Sequence, residues 1–189
     1  MLYTMNRQIN IPNTLSFVRI LTIPAIFLLI LHSTRKNYPI LIAVFVVSIW
    51  LDFFDGYLAR KLKQETELGK ILDPVADKLM VICLVLALII RSDFPLWLGI
   101  FIFARDFIIL VASLILIKRI KGKKVAPSVL IGKVTFGVIG TLLLVYLLDL
   151  HPGVNLPLVK QFFIVISVGF IVWSWIEYYS VYKKEKNGK

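Results

Sequence analysis

The chain has 189 residues, of which 59% are hydrophobic, and its mean hydropathy is +0.86. Soluble domains use about 45–50% apolar residues, so this composition excludes an ordinary soluble domain and indicates one integral membrane domain, residues 1–189. The net charge of +11 falls in the connections between apolar runs, so we expect membrane lipids, and no nucleic acid, to be its partner.

Six apolar runs are each long enough to cross a bilayer, which takes about 20 helical residues. We therefore predict an all-α integral membrane fold with six transmembrane helices. Before the first run, residues 1–13 are predicted to form an interfacial segment, with Asn13 or Thr14 as the N-cap of the first helix. The runs lie at residues 14–32, 38–58, 72–91, 94–117, 129–149 and 156–180.

The basic residues of the connections predict how the helices are oriented. Three of them, Arg35, Lys36 and Arg91, fall in one alternate set of connections. The other set, which includes both termini, is much richer, so the positive-inside rule makes it cytoplasmic. We expect a multi-pass protein of the cytoplasmic membrane with both termini in the cytoplasm. The richer set comprises Arg7, Arg60, Lys61, Lys63, Lys70, Lys118, Arg119, Lys121, Lys123, Lys124, Lys183, Lys184, Lys186 and Lys189.

Four aspartates, Asp52, Asp55, Asp73 and Asp77, stand in or beside the second and third apolar runs. A charge at membrane depth costs at least ~2.5 kcal/mol, so these carboxylates need a partner. Spacings of three and four residues put each pair on one face of a helix, and two such faces turned together would make all four converge. Oxygen ligands without His or Cys favour Mg²⁺ or Mn²⁺, and four carboxylates can hold the two ions that clamp a phosphoryl displacement.

Small residues accompany the aspartates on the same predicted helix faces. Gly56 and Ala59 follow the first pair, and Gly69 precedes the second. Small residues leave room where a backbone or a ligand must approach closely. The sequence leaves one local choice open, because proline disfavours α geometry in the residue before it. Either Asp73 caps a helix that begins at Pro74, or one helix runs through both residues.

This stretch resembles the signature of the CDP-alcohol phosphotransferase family, D-x2-D-G-x2-A-R-x8-G-x3-D-x3-D. The resemblance implies a metal-dependent enzyme that transfers a phosphatidyl group from CDP-diacylglycerol to an alcohol and releases CMP; it also implies a homodimer. The alternative is a set of interfacial aspartates that cap helices or pair with nearby lysines. Every fixed position of the signature is matched, at Asp52, Asp55, Gly56, Ala59, Arg60, Gly69, Asp73 and Asp77.

The resemblance also implies a role for each matched residue. The active site would face the cytoplasm, where the aspartate cluster is predicted to lie. Asp77 would be both a metal ligand and the general base for the acceptor hydroxyl. Arg60 would contact the nucleotide phosphates, which a guanidinium fork suits. The implied metal ligands are Asp52, Asp55, Asp73 and Asp77, and the implied nucleotide-binding residues are Asp52, Gly56, Ala59, Arg60 and Gly69.

Three cations within the apolar runs are candidates for binding the acceptor: Arg19, Arg105 and Lys133. Each has an alternative, because Arg19 can snorkel to headgroups, Arg105 can pair with Asp106, and Lys133 can attract anionic lipid. The surroundings of Arg105 resemble the phosphatidylglycerophosphate synthases of the family, so glycerol 3-phosphate is the expected acceptor. A second lysine of their pattern is replaced by Thr135, which leaves phosphatidylglycerol, and hence cardiolipin synthesis, as an alternative.

Two other classes of membrane protein also carry acidic residues at membrane depth. A cation transporter would place carboxylates near the midplane on several helices, whereas these four cluster at one predicted edge. An intramembrane prenyltransferase also uses aspartates and Mg²⁺, but with different spacing and in a longer chain. Neither class accounts for the small residues and the arginine between the aspartates.

Overall fold

The computed structural model describes the backbone of residues 11–61, 67–119 and 130–187, and side chains within 20–50, 76–109, 131–180 and at 183. All the regular elements in these ranges are α-helices, as predicted, and no strand occurs among them. The helices are α1 (Ile11–Leu31), α2 (Tyr38–Lys61), α3 (Glu67–Arg91), α4 (Leu96–Arg119), α5 (Leu130–Asp149) and α6 (Pro157–Asn187).

Helix α1 begins earlier than the sequence predicted. Its described part starts at Ile11, so Pro12, Asn13 and Thr14 are all helical residues, and the fixed φ of proline suits helical geometry. The prediction that Asn13 or Thr14 forms the N-cap was therefore wrong. The interfacial segment predicted for residues 1–13 loses its last three residues to the helix, and residues 1–10 lie outside the described part of the chain.

The chain divides into two compact units, Met1–Arg91 and Ser92–Lys189. In the first, α1 packs against both α2 and α3. Its buried face carries Ile23, Ile26 and Ile30, spaced three and four residues apart as a helix face requires. One side-chain hydrogen bond joins α1 to α2, between the hydroxyls of Thr22 and Ser48 at 3.1 Å.

A short connection links α1 to α2 and is held by side-chain hydrogen bonds. The Asn37 side-chain oxygen accepts from the backbone N–H of Thr34 at 2.6 Å, and its amide donates to the His32 carbonyl at 2.7 Å. Arg91, at the end of α3, donates to the Ser33 carbonyl at 3.0 Å. His32 contacts the Leu28 carbonyl through its ring nitrogen at 2.9 Å, a helix-end contact that agrees with an ordinary structural role.

In the second unit, α6 packs against both α4 and α5, and three of its polar side chains point inward. Lys160, Ser167 and Ser174 are buried, and their seven-residue spacing keeps them on one face. The exposed face is apolar, with Leu158, Phe162, Val165, Val172, Trp173 and Ile176. A helix in water buries the opposite face, so this pattern is typical of a helix surrounded by lipid.

The buried Lys160 is the centre of an ionic cluster at the start of α6. Its ammonium donates to both carboxylate oxygens of Asp93 at 2.9 Å and to Asp149 at 2.7 Å. It also lies 5.2 Å from the ring centroid of Tyr146, within the range of a cation–π contact. Asp149 accepts a second bond, from the backbone N–H of Leu156 at 2.6 Å. The cluster therefore ties the ends of α5 and α6 to the segment before α4.

Two segments with described side chains are long and apolar enough to cross a membrane, judged by length and composition alone. They are Ile131–Asp149 and Pro157–Ser180, and two shorter apolar segments are Ile20–Leu31 and Tyr38–Trp50. The bounds of α5 agree closely with the fifth predicted run, whereas α6 begins close to the start of the sixth run but continues seven residues beyond its end, to Asn187.

Candidate functional site

The aspartate motif lies on two helices of the first unit. Asp52 and Asp55 belong to the last three turns of α2, and Asp73 and Asp77 to the first half of α3. Because both helices are continuous here, the spacings of three and four residues put each pair on one helix face, as predicted. The connection between the motif's two halves, residues 62–66, lies outside the described backbone.

Pro74 does not begin a helix. Helix α3 runs without a break from Glu67 to Arg91, so Asp73 is an internal helical residue and not an N-cap. Of the two geometries that the sequence left open, the continuous helix is the observed one. It keeps Gly69, Asp73 and Asp77 in one register at four-residue intervals.

Asp77 is the one member of the motif whose side chain is described, and it is partly exposed next to the fully buried Ala76. Among the residues with described side chains, no three His, Cys, Asp or Glu form a group that could hold a metal. The donor chemistry nevertheless fits a hard divalent cation, because the helical register supplies only carboxylates. The other residues of the motif lie outside the set whose side chains are described: Asp52, Asp55, Gly56, Ala59, Arg60, Gly69 and Asp73.

A second polar group lies in the other unit, around Arg105 on α4. This side chain is only 6% exposed. The guanidinium Nη1 donates to Asp106 at 2.7 Å, and Nη2 donates to the backbone carbonyl of Gly132 on α5 at 3.0 Å. The ion pair expected as the alternative is therefore present. It does not use the whole guanidinium, since the buried Nε has no hydrogen-bond partner among the described residues.

Gly132 brings α6 into this cluster. A Cβ at residue 132 would lie 3.1 Å from the hydroxyl of Tyr178 and 3.7 Å from the Arg105 Nη2. A side chain at that position would therefore crowd Tyr178, and glycine leaves the hydroxyl and the guanidinium side by side. One residue further along α5, Lys133 is exposed. Arg105, Gly132 and Tyr178 thus bring three helices of the second unit to one point, and Lys133 adjoins it.

Thr135 stands where the resemblance would place a second lysine. It is fully buried, and its hydroxyl lies 2.7 Å from the Ile131 carbonyl and 3.3 Å from that of Phe170 on α6. A buried hydroxyl that bonds to helix carbonyls joins α5 to α6 and is not available to a ligand. Thr135 therefore does not replace the lysine that the resemblance predicts at this position.

Of the three predicted acceptor residues, Arg105 and Lys133 lie in the same unit, at adjoining helix segments. Arg19 belongs to α1 in the first unit, and its side chain is outside the described set. The prediction that all three converge stays a prediction.

The family profile of the CDP-alcohol phosphatidyltransferases matches residues 9–173. That range covers most of the chain and includes every position of the aspartate motif. The chain belongs to this family. The family expected from the aspartate spacing is thereby confirmed.

Several members of the CDP-alcohol phosphatidyltransferase family align with this chain. A CDP-diacylglycerol–glycerol-3-phosphate 3-phosphatidyltransferase of Aquifex aeolicus is 33% identical over 173 residues, covering 89% of this chain and 93% of the relative. One of the same name from Rickettsia bellii is 40% identical over 100 residues, or 53% of this chain. A putative cardiolipin synthase of Mycobacterium tuberculosis is 32% identical over 136 residues, covering 71% and 63%. The Rickettsia alignment spans about half of that relative, 55% of its length.

Sequence reasoning missed two features of the second unit. Tyr178 was not among the predicted site residues, yet its hydroxyl lies close to Gly132, as the Arg105 guanidinium does. The tripeptide Ile176-Glu177-Tyr178, which resembles phosphatidylglycerophosphate synthases, was the available signal. Lys160 was not singled out at all, although a lysine four residues into an apolar run needs a buried partner.

Proposed function

We propose that this chain transfers the phosphatidyl group of CDP-diacylglycerol to the free primary hydroxyl of glycerol 3-phosphate and releases CMP. The observation that carries the proposal is the complete aspartate motif. The chain that contains it aligns along 89% of its length with the Aquifex aeolicus relative named CDP-diacylglycerol–glycerol-3-phosphate 3-phosphatidyltransferase. In this reaction the acceptor oxygen bonds to the phosphatidyl phosphorus, and the bond from that phosphorus to the CMP oxygen breaks. The acceptor hydroxyl loses its proton.

Each residue of the motif has a role in this proposal. Asp77 accepts the proton of the acceptor hydroxyl, and it is partly exposed on α3. Whether a carboxylate can act as the general base depends first on its distance from the hydroxyl and only then on its pKa. Arg60 binds the diphosphate of the CDP-lipid as a fork-shaped donor. Gly56, Ala59 and Gly69 leave the space in which the cytidine lies.

Two Mg²⁺ or Mn²⁺ ions would be held by Asp52, Asp55, Asp73 and Asp77. Such ions stabilise negative charge on a diphosphate and on the departing phosphate. The continuous helices α2 and α3 support this assignment, because they keep both carboxylate pairs in facial register. EDTA is expected to abolish CMP release, with recovery on adding Mg²⁺ or Mn²⁺. Full activity in excess chelator would contradict the metal assignment.

The phosphate of the acceptor binds, in this proposal, at Arg105, Lys133 and Arg19, with Tyr178 as an added hydroxyl donor. The support is the buried guanidinium of Arg105, which retains an unpartnered N–H among the described residues. A phosphate offers only acceptor atoms to such donors.

The proposal also includes the membrane topology. The chain crosses the cytoplasmic membrane six times as one domain, with both termini and the aspartates on the cytoplasmic side. The inward-facing polar residues of α6 and the distribution of basic residues support it. A homodimer follows from the family resemblance alone.

Phosphatidylglycerol is the second candidate acceptor, which would make the product cardiolipin. Two observations favour it: the 32% identical relative named a putative cardiolipin synthase, and the buried, internally bonded Thr135. The phosphate monoester of glycerol 3-phosphate carries two negative charges and would find one cation fewer than the resemblance predicts. The phosphodiester of phosphatidylglycerol carries one negative charge and needs fewer cations.

An acceptor panel separates the two candidates. Purified protein, CDP-diacylglycerol and Mg²⁺ are combined with glycerol 3-phosphate, phosphatidylglycerol, serine or inositol phosphate, and CMP release is measured. We expect release with glycerol 3-phosphate. Release with phosphatidylglycerol alone would replace the proposed acceptor and keep the reaction class, and release with none would refute the transferase assignment.

A further inference from the structure

Trp175 on α6 holds a buried hydrogen-bond donor that nothing in the described residues satisfies. Its indole Nε1 is inaccessible and has no partner there. An indole nitrogen donates and cannot accept, and leaving a buried donor unpaired costs about 1–3 kcal/mol. The surrounding α6 face is apolar outward, so lipid offers no acceptor in place of water. The missing partner must be an acceptor atom.

Trp175 lies next to the Arg105 cluster. Its ring packs against Phe101 of α4, with ring centroids 4.9 Å apart. Phe101 precedes Arg105 by four residues, so the two share one face of α4. Tyr178, three residues after Trp175, reaches Gly132 beside the Arg105 Nη2. Trp175 therefore lies one turn from the guanidinium along both helices.

Two orphaned donors, the Trp175 Nε1 and the Arg105 Nε, thus occur on neighbouring turns of packed helices. Neither group can accept a hydrogen bond, so a molecule that satisfies both must present oxygen acceptors. Thr135 cannot help to bind it, because its hydroxyl faces the carbonyls of Ile131 and Phe170. A phosphate group meets these requirements better than a hydroxyl, which would need one acceptor for its own proton.

We propose that the Trp175 indole N–H donates a hydrogen bond to an oxygen of the acceptor's glycerol phosphate group, beside the Arg105 guanidinium. This rests on the proposed function. The glycerol phosphate group is common to glycerol 3-phosphate and to the headgroup of phosphatidylglycerol, so Trp175 serves either source. Trp175 is then a substrate-binding residue that sets affinity for the acceptor and not for the CDP-lipid.

The kinetic test compares Trp175→Phe with Trp173→Phe. Phenylalanine keeps the ring that packs on Phe101 and removes the N–H. Trp173 is the matched control, since it is 57% exposed and stacks on Phe170. The wild type is first assayed for CMP release with glycerol 3-phosphate and with phosphatidylglycerol, and the acceptor that it uses serves for both variants. Release with neither refutes the proposed function, and the inference about Trp175 falls with it.

With an active wild type, Trp175→Phe is expected to raise the KM for the acceptor about three- to tenfold, the value of one net hydrogen bond. The KM for CDP-diacylglycerol and all constants of Trp173→Phe should stay at wild-type values. An acceptor KM for Trp175→Phe within twofold of wild type overturns the proposal and leaves the function standing; the indole then bonds to a trapped water.

A binding measurement decides the matter if Trp175→Phe does not fold. Trp50, Trp97 and Trp173 are replaced by Phe, so that Trp175 is the one remaining tryptophan. Adding the acceptor without CDP-diacylglycerol should change its emission saturably, because the indole N–H gains a charged partner. A matched protein that retains only Trp173 should not respond. Silent Trp175 emission at acceptor concentrations that saturate wild-type turnover overturns the proposal.

Discussion

At the residue scale, the proposed acceptor site depends on cations that lie where lipid would favour apolar side chains. Arg105 is the most constrained, since it is buried, paired with Asp106 and bonded to the Gly132 carbonyl. Arg105→Gln and Lys133→Gln should each raise the KM for glycerol 3-phosphate by roughly ten- to a hundredfold, the value of a charge-assisted contact of ~1.5–3 kcal/mol. Steady-state kinetics with each substrate varied in turn would measure it.

The control for these variants is Lys36→Gln, an exposed cation in the connection after α1. It should leave both KM values unchanged. The KM for CDP-diacylglycerol should also stay near wild type in the Arg105 and Lys133 variants. Wild-type kinetics for glycerol 3-phosphate in both variants would show that the acceptor site lies elsewhere.

Gly132 offers a second test at this scale, because a side chain at this position would contact both Tyr178 and Arg105. Gly132→Ala would put a Cβ 3.1 Å from the Tyr178 hydroxyl, so the hydroxyl must shift by a few tenths of an ångström. We expect the acceptor kcat/KM to fall by less than the roughly hundredfold cost of a 1 Å misplacement. Adding Tyr178→Phe to Gly132→Ala removes the crowded oxygen and tests whether the crowding or the hydroxyl matters more.

Gly137→Ala is the matched control on the same helix, since a Cβ there meets nothing within 4 Å. It should leave kcat/KM unchanged. Equal losses in Gly132→Ala and Gly137→Ala would mean that the helix, and not the contact with Tyr178, is responsible.

At the element scale, the ionic cluster around Lys160 should contribute to stability and not to turnover. Removing Lys160 leaves Asp149, whose side chain is 16% exposed, without its cation, whereas Asp93 is 67% exposed and stays solvated. Lys160→Met should therefore destabilise the protein, by less than the ~3–5 kcal/mol of a fully buried broken pair. Thermal unfolding in detergent would measure the loss.

The two carboxylates of that cluster should differ. Asp149→Asn should lower the Tm more than Asp93→Asn, because Asp149 is more buried and also accepts the Leu156 N–H. A larger effect at Asp93 would contradict the cluster as described.

The helices also show what sequence could and could not predict. Composition and apolar runs predicted six helices, and the bounds of α5 and the start of α6 agree closely with them. The start of α1 was misplaced because Pro12 was weighted as a breaker, and α3 begins at Glu67, five residues before the apolar run predicted from residue 72. Pro12 lies within α1, and Pro74 lies inside α3. The sequence could not predict the partner of Lys160 on α6, because that partner, Asp93, is 67 residues away in sequence.

The same limit applies to the candidate site. The aspartate motif is local, so a 26-residue stretch sufficed to identify the family, later confirmed by a match over residues 9–173. The proposed acceptor region combines residues of α4, α5 and α6, and no spacing rule links Arg105 to Gly132 or Tyr178. Trp175 and Tyr178 therefore looked like packing residues until the contacts of α6 were known.

At the scale of the whole molecule, the account makes this chain a phosphatidyltransferase that performs one direct displacement. The deciding measurement uses glycerol 3-phosphate labelled with ¹⁸O at its free primary hydroxyl, together with purified protein, CDP-diacylglycerol and Mg²⁺. Lipid product and CMP are quantified by mass spectrometry. The account predicts phosphatidylglycerophosphate and CMP in equal amounts, with ¹⁸O in the lipid and none in the CMP. Phosphatidic acid in place of the labelled lipid, or ¹⁸O in the CMP, would contradict it.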